Sequence, residues 1–137
     1  MILLVRHASA GDRYEWEGDD NLRPLDERGR RQADELVELL VEYEVTRLLS
    51  SPSLRCIQTV EPFAQARGLD IEIRDELSEG RQAADGPGLV GSLHDVDAAL
   101  SCHGGLSDAI CGESQKKGEV IVLDGTAIVT RLRAKGR

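Results

Sequence analysis

Two histidines in this chain each stand directly behind an apolar run. Leu3-Leu4-Val5-Arg6 leads into His7, and Ala98-Ala99-Leu100-Ser101-Cys102 leads into His103. A neutral imidazole is a competent nucleophile near pH 7. Two arginines have a comparable placement. Arg6 precedes His7, and Arg55 ends Ser50-Ser51-Pro52-Ser53-Leu54-Arg55, behind the run Thr46 to Leu49. A guanidinium fork matches phosphate oxygens bidentately. One such pair at about 4 Å is worth roughly 4 kcal/mol at an effective dielectric of 20. Two forks would therefore offset a phosphate dianion. Taken singly, each histidine is an ordinary surface residue at a strand end and each arginine an ordinary ion-pair partner. Their convergence is what points to phosphoryl chemistry.

Convergence requires three strands that end on one edge. Ile2 to Val5 is a continuous apolar run, suited to a strand buried on both faces. Thr46 to Leu49 and Ala98 to Cys102 are further core strands, with a short one at Asp70 to Ile73. Asp26 is placed to cap a helix from about Glu27 to Tyr43, with Ala33, Leu36, Val37 and Leu40 as its buried stripe. A second helix follows Pro52, with Leu54, Ile57, Val60 and Ala64 inward. Pro62 is expected to kink or split it, and Gly68 to stop it. Ser9 to Arg23 and Arg74 to Gly88 read as irregular. Short helices are expected near Leu89 to Leu93 and Leu106 to Ile110. Asp124-Gly125 marks a hairpin between Glu119–Leu123 and Thr126–Leu132. Strands alternating with helices imply an α/β three-layer sandwich, with helices flanking a mostly parallel central sheet, in one domain over residues 1–137. In such sheets ligands bind beyond the carboxyl ends of the strands.

Four segments resemble the histidine phosphatase, or phosphoglycerate mutase-like, superfamily. Arg6-His7-Ala8 is similar to its Arg-His-Gly signature. Arg23-Pro24-Leu25-Asp26-Glu27-Arg28-Gly29-Arg30-Arg31-Gln32-Ala33 resembles its Pro-Leu-Thr-x-x-Gly-x-x-Gln-Ala segment. Ser51-Pro52-Ser53-Leu54-Arg55-Cys56-Ile57-Gln58-Thr59 resembles Ser-Pro-x-x-Arg-x-x-Gln-Thr, and Cys102-His103-Gly104-Gly105 the second-histidine motif. The order holds across residues 2 to 110. The short chain is most similar to the small SixA-type phosphohistidine phosphatases; a similar domain follows a Nudix hydrolase domain in some bacterial proteins. The resemblance implies that His7 is the nucleophile and that Arg6, Arg55 and His103 bind the phosphoryl oxygens. Backbone at Gly104 and Gly105 would add donors. The general acid of the family lies in a Leu-x-Glu context, which Leu77-Ser78-Glu79 matches, with Glu76 and Asp75 as rivals. Arg13 stands where the sugar-phosphate mutases carry a phosphate-binding Asn, either as a further ligand or as a solvated loop charge. The stretch from Glu79 to Ala98 leaves no room for the lid of larger members, so an open site is expected.

Other chemistries fit less well. A cysteine phosphatase needs Cys followed six positions later by Arg, and Cys56, Cys102 and Cys111 are followed by Pro62, Asp108 and Lys117. There is no phosphate-binding G-x-x-x-x-G-K-[ST] loop. His7, His94 and His103 form no metal motif, so neither metal nor other cofactor is expected, and His94 reads as a surface residue. The net charge of −8 disfavours nucleic-acid binding. No apolar stretch suits a signal peptide or a membrane span, and three cysteines without C-x-x-C fit a reducing compartment, so a cytoplasmic protein is expected. Its partner would be a phosphorylated small molecule or phosphoprotein. The reading from another class is a non-catalytic phospholigand-binding module on the same fold.

Overall fold

β1 (Ile2–Arg6) is buried through its first four residues and divides them between two cores, as the period-2 alternation of a strand requires. Ile2 and Leu4 join one apolar cluster and Leu3 and Val5 the other. The computed structural model describes residues 1–137. After β1 come α1 (Glu27–Leu39), β2 (Arg47–Ser50), α2 (Leu54–Arg67), β3 (Ile71–Ile73), α3 (Gln82–Ser92), β4 (Ala98–Cys102), α4 (Leu106–Cys111), β5 (Glu119–Asp124) and β6 (Ala127–Arg133). Short 3-10 turns occupy Asp20–Leu22 and Asp75–Leu77. The six strands form one sheet in the order β3-β2-β4-β1-β5-β6. The pairs β1–β4, β2–β4 and β2–β3 are parallel, and β1–β5 and β5–β6 antiparallel. Leu36 and Leu40, from α1 and its end, and Val60 and Phe63 of α2 cover one face. Leu89 and Val90 of α3 with Leu106 of α4 cover the other. This is the expected three-layer sandwich.

Local chemistry sets the ends. Asp26 caps α1, its Oδ1 accepting from the Gly29 N–H at 2.8 Å. Gly68 stops α2 in the left-handed conformation. In the final hairpin Asp124 pairs with Ala127, so Gly125 and Thr126 make the turn.

Four expectations are corrected. α1 ends at Leu39 rather than near Tyr43. Pro62 does not divide α2, which runs unbroken through it. The buried side of α2 carries Cys56, Thr59, Val60, Phe63 and Ala64, while Leu54 and Ile57 are only half-buried. That packing outweighs the roughly 3 kcal/mol that an interior proline costs. The segment expected to be irregular to Gly88 instead enters α3 at Gln82, despite Gly86, Pro87 and Gly88. Gly86 has a reason to be glycine: a Cβ there would lie 2.4 Å from Leu106 Cδ1. The missing side chain lets α4 press against α3.

Candidate active site

Three neighbouring parallel strands end on the same edge. In register, Arg6 of β1 lies beside Cys102 of β4, and Ser50 of β2 beside Ser101. The chain continues directly into His7, Ser51 and His103. The His7 N–H donates to the Cys102 carbonyl at 2.9 Å and the Ser51 N–H to the Ser101 carbonyl at 3.0 Å. His7 and Ser51 are thus fixed by extensions of the ladder, and the His103 N–H donates instead to Gln82 Oε1 at 3.2 Å. The His7 and His103 rings meet edge to face, centroids 5.6 Å apart.

The His7 ring is held in one tautomer. Nδ1 lies 2.8 Å from the Ala8 carbonyl oxygen. A carbonyl only accepts, so Nδ1 carries the hydrogen and Nε2 keeps a free lone pair. Burial pushes the imidazole down to about 3, and the charges of His103, Arg55 and Arg6 act the same way against the Ala8 bond. His7 is therefore neutral at pH 7, as a nucleophile must be. The supporting carbonyl is itself fixed, because the Ala8 N–H donates to Thr59 Oγ1 at 2.9 Å.

Arg55 reaches the same place from the first turn of α2. It is fully buried, and its Nη2 lies 2.8 Å from Glu79 Oε2 and 3.1 Å from Asp20 Oδ2. Its Nη1 donates to the Asp20 carbonyl at 2.8 Å. Arg6 Nη1 donates to the Gln115 carbonyl at 2.6 Å. The Nε atoms of both arginines are buried and have no partner. His103 Nε2 is 2.8 Å from Ser51 Oγ, and its Nδ1 is 3.5 Å from Glu79 Oε2. Where the Ser51 hydroxyl donates to Nε2, Nδ1 carries the hydrogen and points at the Glu79 position. Burial pushes His103 down to about 4, with Arg55 acting the same way and Glu79 against it.

Glu79 therefore sits on the cations. Besides Arg55, its Oε1 accepts from Arg13 Nη2 at 2.8 Å. Burial pushes its carboxyl up, but the Arg13 hydrogen bond and the charges of His103, Arg13 and Arg55 outweigh this and hold it below the usual carboxylate range. Without a bound anion, Glu79 is ionised. Its rival Glu76 is occupied by Arg74 at 2.6 Å, whereas Asp75 lines the same cavity as Glu79. Arg13 faces both this cavity, of about 800 Å³, and a second of about 540 Å³ over His7. Gly104 lies against Arg6: a Cβ there would stand 2.9 Å from the guanidinium carbon. His94 is 81% exposed and remote.

The other motif residues build the frame. Gln58 Oε1 accepts from the Leu25 N–H at 2.8 Å, and Gln32 Oε1 from the Ser9 N–H at 2.8 Å. Asp26 Oδ2 accepts from Ser9 Oγ and the Gly11 N–H. A Cβ on Gly29 would collide with the Ser9 carbonyl, at 1.9 Å. These contacts fold the loop after His7 back over α1 and α2.

Residues 2–84 match the sequence profile of the histidine phosphatase superfamily, branch 1. The chain belongs to that superfamily. Within it, 86 residues are 48% identical to an 8-oxo-(d)GTP phosphatase of Mycolicibacterium smegmatis. That match covers 61% of this chain and 26% of the relative, so the chain spans about a quarter of the curated protein it resembles. Among solved structures, one from Agrobacterium tumefaciens described as a phosphohistidine phosphatase SixA superposes with a TM-score of 0.81 at 25% identity, over 96% of both chains. A tungstate complex of the protein histidine phosphatase SixA gives 0.79 at 22% identity, over 97% of this chain and 96% of that one. The superfamily fold thus extends past residue 84 to nearly the whole chain.

The structure also brings in residues that the sequence reading left out of the site. Arg23 is buried, bonded to the Ala10 carbonyl and to Asp20 Oδ1. Lys117, just before β5, lines the cavity over His7 with Arg6, Arg13 and Arg23. Its signal was topological. A strand antiparallel to β1 must begin where β1 ends, and Val5 pairs with Val120.

Proposed function

We propose that this chain is a phosphatase that passes a phosphoryl group through His7. The observation that carries this reading is the His7 ring: neutral, with Nδ1–H bound to Ala8 and Nε2 free in a cavity walled by cations. The Nε2 lone pair attacks phosphorus, an N–P bond forms, and the bond from phosphorus to the leaving oxygen breaks. Arg6, Arg55 and Nδ1–H of His103 take the charge on the non-bridging oxygens, a role that preorganised donors fulfil in phosphoryl transfer. Their unpartnered Nε–H groups give both arginines spare donors for an oxyanion.

Glu79 is the carboxyl beside that position. A dianion on Arg55 and His103 Nδ1–H draws the Arg55 charge away and adds its own, which pushes Glu79 upward toward the protonated acid. It then gives its proton to an alkoxide leaving group. In the second step Glu79 takes a proton from water, oxygen attacks phosphorus, the N–P bond breaks, and phosphate and neutral His7 are restored. The substrate is a phosphorylated small molecule or a phosphoprotein. One SixA structure is described as a phosphohistidine phosphatase and the other as a protein histidine phosphatase, and the curated relative is named an 8-oxo-(d)GTP phosphatase. The test is release of inorganic phosphate from p-nitrophenyl phosphate under multiple turnover. Release of many equivalents is expected; binding of one equivalent without turnover would make the chain a phospholigand-binding module.

A further inference from the structure

Arg6, Arg55 and His103 suffice for one phosphoryl group, yet the cavity over His7 holds more cations. Of the first three only Arg6 lines it, together with Arg13, Arg23 and Lys117. Two of these are already neutralised, Arg13 by Glu79 at 2.8 Å and Arg23 by Asp20 at 3.0 Å. Lys117 has no carboxylate within 4.0 Å, and its ammonium makes no hydrogen bond. Lys117 thus differs from Arg13 and Arg23, the neutralised cations on the same cavity wall. Lys117 is half-buried, and it lines the cavity that holds His7.

The lysine is also fixed to the nucleophile's own peptide units. The Gly118 N–H is shared between the Arg6 carbonyl at 3.2 Å and the His7 carbonyl at 3.3 Å. The Lys117 carbonyl accepts from Gln32 Nε2 at 3.4 Å. Burial pushes the ammonium down from its ordinary value, and Arg6, Arg23 and Arg13 add to that against the pull of Asp26. Asp12 is the only carboxylate on the cavity wall. The arrangement is a cation without a carboxylate partner on the wall of the cavity that also holds His7 and Arg6.

We propose that Lys117 binds a second anionic group of the substrate, carried by the leaving portion next to the transferred phosphoryl, so that the preferred leaving group is itself a phosphate. This rests on the phosphatase reading above. In the transfer, the His7 Nε2–P bond forms and the bond to the bridging oxygen breaks. That oxygen keeps the electron pair on the departing phosphate, which needs no added proton.

The test is calorimetric binding of inorganic phosphate and pyrophosphate to the wild-type chain, Lys117→Gln and Lys117→Arg. Neither measurement depends on turnover. The wild-type chain is expected to bind pyrophosphate about 10- to 100-fold more tightly than phosphate, the range for one charged hydrogen bond. Lys117→Gln should lose most of that preference, and Lys117→Arg should keep it. A preference that survives Lys117→Gln overturns the subsite and leaves the phosphatase reading standing, as does its absence from the wild-type chain. Binding of neither anion overturns both.

Discussion

Replacing Glu79 by glutamine removes one negative charge and keeps the shape of the side chain. In the free protein that charge lies 2.8 Å from both Arg13 and Arg55 and 3.5 Å from His103 Nδ1. An incoming phosphate needs the same donors and meets the same charge. Two unit charges about 4 Å apart interact by roughly 4 kcal/mol at an effective dielectric of 20. The Glu79 side chain is 40% exposed, so the figure falls toward the ~1 kcal/mol of exposed pairs. About 1–2 kcal/mol of relief remains, or roughly 5- to 30-fold. Glu79→Gln is therefore expected to bind phosphate more tightly, measured as competitive inhibition. Turnover should move the other way. An alkyl ester should lose about 100- to 10,000-fold, the range of general acid catalysis, and p-nitrophenyl phosphate much less. Unchanged or weaker phosphate binding would refute the placement of Glu79 on the anion-binding cations. Equal losses on both esters would remove it as the acid, and a selective loss in Glu76→Gln would move that role to Glu76.

Arg55→Ala is expected to lower kcat/KM at least about 100-fold, because one charged donor to a transition state is worth roughly 2.7–4 kcal/mol. Arg67→Ala should leave kcat/KM unchanged, since Arg67 ties the end of α2 to the Leu40 and Val41 carbonyls; equal effects would remove Arg55 from the site. Activity should survive exhaustive chelation, because arginines stand where metal enzymes use a cation, and a requirement restored only by divalent metal would contradict this. His7 and His103 are pushed down to about 3 and about 4 from an ordinary value near 6.5. Between pH 6.5 and 4 the unfolded chain therefore binds more protons, so this stability is full above 6.5 and falls as the pH drops. Urea unfolding should show a slope of up to about 1.4 kcal/mol per pH unit for each histidine, flattened in His7→Gln.

Much of the site was legible because its residues follow the strands that carry them. The runs before His7 and His103 announce β1 and β4, and the Asp26 cap and the Asp124-Gly125 hairpin signal, whose turn falls on Gly125 and Thr126, are local chemistry. What was illegible depends on contacts distant in sequence. Pro62 and the Gly86-Pro87-Gly88 run are local breakers, overridden by Phe63 in one core and by Leu106 against Gly86 in the other. The ionised state of Glu79 follows from Arg13, 66 residues away, which partial burial alone could not foretell. Lys117 belongs to no motif and enters only because β5 runs antiparallel to β1.

The central claim is a covalent phosphoryl group on His7 Nε2. It is tested by rapid quenching of the protein with radiolabelled phosphorylated substrate, without acid, followed by mapping of the label. The expected result is label on His7 that survives base and is lost in acid, as a phosphoramidate is, with both label and turnover absent from His7→Ala. Full turnover in His7→Ala, or label on any other residue, would contradict it.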